Sequence, residues 1–172
     1  MKDLIKILLV EDLPSDAEIL WYELTRNGLH FEKKHVETRK DYVYELMSFR
    51  PDLIISDYAL PQFDGMTALR LKNDLSPLTP FILVTGSVNE EIAVECMKAG
   101  ANDYVLKQNL SRLIPSIRAA MSKTEILLEK EAAEKELRES EEKFRSIFEN
   151  VQDLYYESSL DGTLLEISPS IL

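Results

Sequence analysis

Three carboxylates, a threonine and a lysine stand at the ends of short apolar runs in this sequence. Glu11 and Asp12 follow IKILLV, Asp57 follows LIIS, Thr85 ends FILVT, and Lys107 follows DYVL. Carboxylates gathered in one cleft repel one another unless a cation lies among them. Mg²⁺ prefers one or two carboxylates with water and phosphate oxygens, and a lysine can pair with a carboxylate or a phosphate. The pattern therefore indicates a magnesium and phosphate site, if the fold brings these residues together.

Asp57 is the best candidate for the reactive group. A carboxylate can attack phosphorus and form an aspartyl-phosphate, and a metal ion beside it neutralises charge on the phosphoryl oxygens. An aspartate after a strand is by itself more often a helix cap. The prediction therefore depends on the joint placement of the acid pair, Asp57, Thr85 and Lys107.

The apolar runs predict the fold that would position these residues. Near-continuous apolar segments at 5–10, 53–56 and 81–85 indicate strands buried on both faces of a parallel sheet, and weaker strands are expected at 31–36 and 103–106. Helical patterns alternate with the strands. We predict a doubly wound α/β domain with a five-stranded parallel sheet flanked by helices. Such domains carry their sites at the carboxyl ends of the strands.

Composition argues against several classes of protein. The chain has 172 residues and a net charge of -11, which disfavours a nucleic-acid partner. The single cysteine, Cys96, cannot form an internal disulfide. The apolar run near the N-terminus is too short for a signal peptide or a membrane span. We therefore expect a cytoplasmic fragment with no membrane association.

The composition changes near Ser122. The following segment lacks Gly and Pro and is rich in Glu, Lys, Leu and Ala, which predicts a long solvated helix. Two apolar series lie out of phase, which indicates two short coiled-coil stretches with a register slip and hence a parallel homodimer. The alternative is one amphipathic helix lying on its own domain. The second series consists of Leu137, Ser140, Phe144, Ile147, Val151 and Leu154.

The tail contains Asp161-Gly162 between two apolar runs, and this dipeptide predicts a short β-hairpin. A lone two-stranded hairpin is marginally stable in water, so we expect this one to pack on a missing sheet or on a partner chain.

The segments ILLVEDLPSDAE, PDLIISDYALPQFDGM, FILVTGS and AGANDYVLK together resemble a response-regulator receiver domain over about residues 6–121. The resemblance implies that Glu11 and Asp12 hold Mg²⁺, that Asp57 accepts a phosphoryl group and that Lys107 contacts it. It also implies the strand order 2-1-3-4-5 for the sheet, and it implies that the backbone carbonyl of Ala59 is a further metal ligand. The donor would be a phosphohistidine of a sensor histidine kinase or a phosphotransfer protein.

The resemblance further assigns a switch. The hydroxyl of Thr85 would move to the new phosphate and Tyr104 would move inward behind it, while Pro61 and Gly65 would shape the loop after Asp57. One position departs from the family pattern, because Gln108 replaces the proline that often follows the lysine. A non-proline cis bond costs ~3 kcal/mol, so the state of this bond and the reach of the lysine remain open.

The segment EEKFRSIFENVQDLYYESSLDGTLLEISPS is similar to the opening of a PAS domain. We therefore predict a receiver domain at 1–121, a helical coiled-coil linker at 122–143 and the N-terminal fragment of a PAS domain at 144–172. His30 and His35 are expected on the surface, away from the acids. The alternative function is a dimerisation or interaction module that does not use phosphate.

Enzymatic functions are disfavoured by the sequence. No glycine motif of a kinase ATP site is present. An aspartyl-phosphate hydrolase generally carries a second acid two residues after the nucleophile, where this chain has Ala59. The resemblance implies that the receiver catalyses its own phosphoryl transfer, and we expect slow loss of the phosphoryl group to water.

Overall fold

The computed structural model describes residues 4–61, 63–86, 90–150 and 156–167, and the chain divides into two compact units, Met1–Ile126 and Leu127–Leu172. The first unit contains a five-stranded parallel sheet in the order β2-β1-β3-β4-β5, which confirms the predicted topology. Its strands are β1 (Ile5–Val10), β2 (Phe31–Val36), β3 (Leu53–Ser56), β4 (Phe81–Thr85) and β5 (Asp103–Leu106).

Helices follow each strand, as the alternating pattern predicts. A 3₁₀ helix, Lys107–Arg112, separates β5 from the last of them. The helices are α1 (Pro14–Arg26), α2 (Arg39–Ser48), α3 (Gly65–Leu75), α4 (Glu90–Lys98) and α5 (Leu113–Asn150).

The central strands are buried on both faces because successive side chains point to opposite sides of the sheet. In β1, Ile7 and Leu9 pack with α1 and the beginning of α5, whereas Leu8 and Val10 pack with α2 and α3. β2 lies at the sheet edge, and most of its side chains are exposed. This difference explains why the sequence signal for β2 is weaker than that for β1, β3 and β4.

Local sequence sets where several helices begin and end. Pro14 occupies the first turn of α1, where a missing N–H costs nothing, and Gly28 adopts a φ of 74° after its end. The side chains of Thr38 and Asp64 cap α2 and α3 by accepting N–H groups of the first turn. These caps direct each chain segment from the carboxyl edge of the sheet back across one of its faces.

Gly65 begins α3 at a point of very close backbone approach. Its N–H donates to the carbonyl of Tyr58 at 2.9 Å. A Cβ at this position would lie 2.8 Å from the carbonyl oxygen of Asp57 and 2.9 Å from the Cα of Tyr58. Glycine is therefore required for α3 to pack against the loop that follows β3.

The second unit consists of the later part of α5 and an antiparallel pair, β6 (Tyr156–Ser158) and β7 (Leu164–Ile167). This pair confirms the predicted hairpin. Gly162 adopts a φ of 87° in the turn, and Asp161 accepts hydrogen bonds from Ser159 and from the Thr163 N–H. Val151 and Leu154 of the predicted apolar series lie outside the described residues.

The later part of α5 is exposed within its own unit. Leu137, Phe144 and Ile147, which belong to the predicted apolar series, are all more than half exposed. Three ion pairs at i,i+4 spacing join side chains along the same helix. No helix in the described ranges is long and apolar enough to cross a membrane.

The contact at Gly65 generates a prediction. We expect Gly65→Ala to lower the free energy of unfolding by about 2 kcal/mol, because the added methyl group meets backbone that cannot move aside. The control is Gly86→Ala, where nothing lies within 4 Å of the new Cβ and no positive φ opposes the change. Urea unfolding followed by circular dichroism measures both. Equal stabilities of the two variants would contradict the prediction.

Candidate functional site

The carboxyl ends of four neighbouring strands bring the predicted residues to one edge of the sheet. Glu11 and Asp12 follow β1, Asp57 follows β3, Thr85 ends β4 and Lys107 follows β5. Backbone hydrogen bonds continue the sheet at its edge, since the Asp57 N–H donates to the Val10 carbonyl at 2.8 Å. The sheet order therefore converts residues distant in sequence into neighbours.

Glu11, Asp12 and Asp57 form a cluster of carboxylates. One oxygen atom of each lies within 4.8 Å of the other two. Glu11 and Asp57 are buried, whereas Asp12 is partly exposed. Three oxygen donors at this separation fit a hard divalent cation such as Mg²⁺, and they would repel one another without a positive charge nearby.

Lys107 supplies that positive charge. Its Nζ lies 2.7 Å from Glu11 Oε2, 2.6 Å from Asp16 Oδ2 and 2.7 Å from Asp57 Oδ2. An ammonium group has three N–H donors, so each carboxylate receives one. Burial alone would lower the pKa of Lys107, but the hydrogen bonds to Asp16, Asp57 and Glu11 outweigh it, and the pKa lies above its ordinary value. The lysine is therefore charged throughout the neutral range.

Glu11 is the most deeply buried acid of the site. Its side chain is fully inaccessible, and Oε1 accepts the Leu13 N–H at 3.2 Å. Burial raises the pKa of Glu11, and the hydrogen bonds from Lys107 and Leu13 offset only part of this effect. The ionised carboxylate is thus held at a cost that a cation in the cluster would reduce.

Asp57 is held in one orientation by donors to both of its oxygens. Oδ1 accepts the N–H of Tyr58 at 2.6 Å and the N–H of Ala59 at 3.3 Å, while Oδ2 accepts from Lys107. The side chain is 8% exposed. These donors leave the carboxylate little freedom to rotate. The structure thus uses the Ala59 N–H, and the role of its carbonyl as a metal ligand stays a prediction.

Two residues at the site were missed or misplaced by the sequence analysis. Asp16 contacts Lys107, but from sequence it has the appearance of an ordinary acidic residue in the first turn of α1. His30 and His35 are exposed, as expected, but His35 lies closer to the site than the sequence suggested, through a contact to backbone and not to a carboxylate. Its Nε2 lies 2.7 Å from the backbone carbonyl of Glu11, because β2 pairs with β1 at this end.

Thr85 and Tyr104 lie on the adjacent strands β4 and β5. Thr85 is buried, and Tyr104 is partly buried against the core on the α2, α3 and α4 face. Their roles in a switch stay predictions. No cis peptide bond occurs in the described part of the chain, so the Lys107–Gln108 bond is trans. Lys107 contacts Asp57 with this bond in the trans state.

Comparison with known proteins places the site in a family context. A family model of the response regulator receiver domain matches residues 7–118. The regulatory protein AtoC of Escherichia coli is 30% identical over 102 residues, which is 59% of this chain and 22% of that protein. The alkaline phosphatase synthesis transcriptional regulatory protein PhoP of Bacillus subtilis is 25% identical over 167 residues, covering 95% of this chain and 67% of that protein.

A solved structure is similar over the same region. The CheY-like response regulator receiver domain protein from Methanospirillum hungatei is 26% identical, with a TM-score of 0.62 over 71% of this chain and 97% of that one. The chain spans only 22% of the length of AtoC, so the activities of longer relatives do not transfer directly.

The carboxylate cluster generates a stability prediction. We expect Lys107→Met to lower the free energy of unfolding near neutral pH by about 3 kcal/mol, because the carboxylates lose their shared cation. The pKa of Glu11 should then rise further above its ordinary 4.5, since Lys107 no longer lowers it. A raised pKa in the folded state favours the folded protein as pH falls. The loss of unfolding free energy relative to the wild type, here called the deficit, should therefore be smaller at about pH 5.

Urea unfolding without divalent cations, at about pH 7.5 and about pH 5, measures this deficit. Lys123→Met removes an exposed lysine of α5 and should change stability little at either pH. A deficit that is constant with pH, or equal to that of the control, would contradict the ion-pair account.

Proposed function

Because the chain belongs to the response regulator receiver domain family, we propose that Asp57 accepts a phosphoryl group from a phosphohistidine. Members of this family act in two-component signal transduction and interact with histidine kinases or phosphotransfer proteins. The observation that carries the proposal is that Asp57 belongs to the carboxylate cluster and also contacts the ammonium group of Lys107. The exchange would take place in the cytoplasm.

Asp57 is the nucleophile in this proposal. A carboxylate oxygen attacks phosphorus, the P–N bond to the donor imidazole breaks, and the imidazole nitrogen leaves with the electron pair. The N–H groups of Tyr58 and Ala59 hold the carboxylate in place. Mg²⁺, held by Glu11, Asp12, Asp57 and the carbonyl of Ala59, would neutralise charge on the phosphoryl oxygens. Lys107 then donates an N–H to the phosphoryl group, because the phosphorylated Asp57 no longer carries a carboxylate charge.

Thr85 and Tyr104 form the proposed switch. A phosphoryl group adds about -1.5 to -2 charge and several acceptor oxygens next to the end of β4. The Thr85 hydroxyl would turn to donate to it, and Tyr104 on the neighbouring strand would fill the space behind. Such a group shifts an equilibrium only through its different interactions with two existing states, so both states should exist before phosphorylation.

The C-terminal helix is the proposed output. We assign 1–121 to the receiver domain, 122–143 to a coiled-coil linker and 144–172 to the start of a PAS domain. The continuous helix α5 supports this assignment, because it begins with buried residues of the receiver core and ends among exposed apolar ones. A parallel homodimer would convert a small shift at the receiver into rotation or sliding of paired helices.

The receiver is proposed as a phosphoacceptor and not as a kinase. The sequence carries no glycine motif for ATP phosphates. Slow self-dephosphorylation is expected because Ala59 is small and leaves water a path to the acyl phosphate. The proposed signal thus begins with transfer from a phosphohistidine and decays partly through the receiver itself.

Phosphoacceptance gives a direct test. Acetyl phosphate with Mg²⁺ should add one phosphoryl group to the wild type, and mass spectrometry should detect it. Asp57→Asn should remain unmodified because the amide is a poor nucleophile. Asp74→Asn, which changes an exposed aspartate of α3, should be modified like the wild type. Equal modification of the wild type and Asp57→Asn would show that Asp57 is not the phosphoacceptor. The alternative function, an interaction module that does not use phosphate, would then be favoured.

The homodimer gives a second test. The full chain should sediment as a dimer, and Leu137→Glu should dissociate it, because it puts a charge into the proposed apolar seam. Glu136→Gln changes the adjacent exposed residue and should leave the dimer intact. A wild-type monomer at high concentration would exclude the coiled coil without affecting the phosphoacceptor site.

A further inference from the structure

The three partners of Lys107 fall into two groups. Glu11 and Asp57 are members of the cluster whose oxygens lie within 4.8 Å of one another, whereas Asp16 is outside it. Two of the three N–H groups of Lys107 therefore donate to carboxylates that would also hold a divalent cation. The third N–H donates to an acid that the cluster does not use.

This arrangement creates a competition between two positive charges. A cation held by Glu11 and Asp57 would withdraw electron density from the oxygens that Lys107 contacts, and it would repel the ammonium group at short range. Lys107 is 17% exposed, so water can replace the lost hydrogen bonds only in part. To stay beside the site, the lysine needs a carboxylate partner that does not also bind the cation.

Asp16 has the properties of such a partner. It lies in the first turn of α1, where its N–H donates to the Leu13 carbonyl at 3.1 Å. Oδ2 is 2.6 Å from Lys107, and Oδ1 accepts from the Ser15 hydroxyl at 3.4 Å. Its side chain is 27% exposed, whereas that of Glu11 is fully buried, so water reaches Asp16 and not Glu11.

We propose that Asp16 is a positioning residue that retains Lys107 beside the site when a divalent cation takes the oxygens of Glu11 and Asp57. The inference rests on the proposed function, because it assumes that the acidic cluster binds Mg²⁺. Asp16 lowers the free-energy cost of moving the ammonium group away from the cluster. It also keeps the lysine close enough to meet an incoming phosphoryl group.

The proposal differs in its consequences from a simple charge effect. Removing any nearby acid weakens cation binding somewhat through long-range attraction. If Asp16 acts through Lys107, its removal should matter much more when the lysine is present than when it is absent. A double-mutant cycle measures this coupling directly.

The experiment is a titration of the full chain with MgCl₂ at constant ionic strength, followed by the NMR shifts of the Glu11, Asp12 and Asp57 amides. We expect Asp16→Asn to raise the dissociation constant of Mg²⁺ by about tenfold relative to the wild type. Glu18→Gln removes the same charge from an exposed position of α1 and should have a much smaller effect. In a Lys107→Ala background, Asp16→Asn should have no more effect than Glu18→Gln.

The outcomes separate this inference from the function on which it rests. If the wild type shows no Mg²⁺-dependent shifts, both the metal site and the role of Asp16 are wrong. If the wild type binds Mg²⁺ but Asp16→Asn matches Glu18→Gln, only the positioning role is overturned. An equal effect of Asp16→Asn with and without Lys107 also overturns it. The comparison of Asp16→Asn with Glu18→Gln does not require that the Lys107→Ala variant folds.

Discussion

A single ammonium group holds together the functional edge of this domain. Glu11, Asp16 and Asp57 come from separate segments, and each carboxylate would repel the others if Lys107 were absent. The lysine lies directly after the edge strand β5. Its side chain nevertheless reaches acids that follow β1 and β3, on the far side of β4. The contact therefore connects the edge strand β5 to the centre of the sheet at the site itself.

Packing of the hydrophobic core holds these charged residues close together. β1, β3 and β4 are buried on both faces, so their carboxyl ends are placed by packing before any charge interaction is considered. Backbone groups then orient the acids: the N–H groups of Tyr58 and Ala59 hold Asp57, and the Leu13 N–H holds Glu11. The result is a site with excess negative charge, which favours a divalent cation.

The long helix α5 gives the site its proposed consequence. The receiver family match ends at residue 118, within the first part of α5, and the helix continues to Asn150. The early residues of α5 are core residues, among them Leu113 and Ile117, whereas Leu137 and Phe144 further along are exposed. A helix with these two different environments is suited to carry a change in packing to a dimer seam, which is the role proposed for it.

The sequence by itself determined the strands and the set of residues at their ends, and its resemblance to the receiver family implied the strand order. Buried parallel strands require continuous apolar runs, so 5–10, 53–56 and 81–85 were recognisable, and the topology then placed Glu11, Asp57 and Lys107 on one edge. The Asp161-Gly162 turn was also predictable from sequence, because few residue pairs suit a tight hairpin.

Only the tertiary structure decided which of these neighbours touch. Asp16 resembles an ordinary first-turn acid until the position of α1 relative to β5 is known, and the contact of the exposed His35 with the Glu11 carbonyl depends on the register of β2 against β1. The close approach at Gly65 also depends on how separate segments pack. Side-chain contacts between distant segments are set by distances of a few ångströms across the packed fold, and sequence spacing carries no information at that scale.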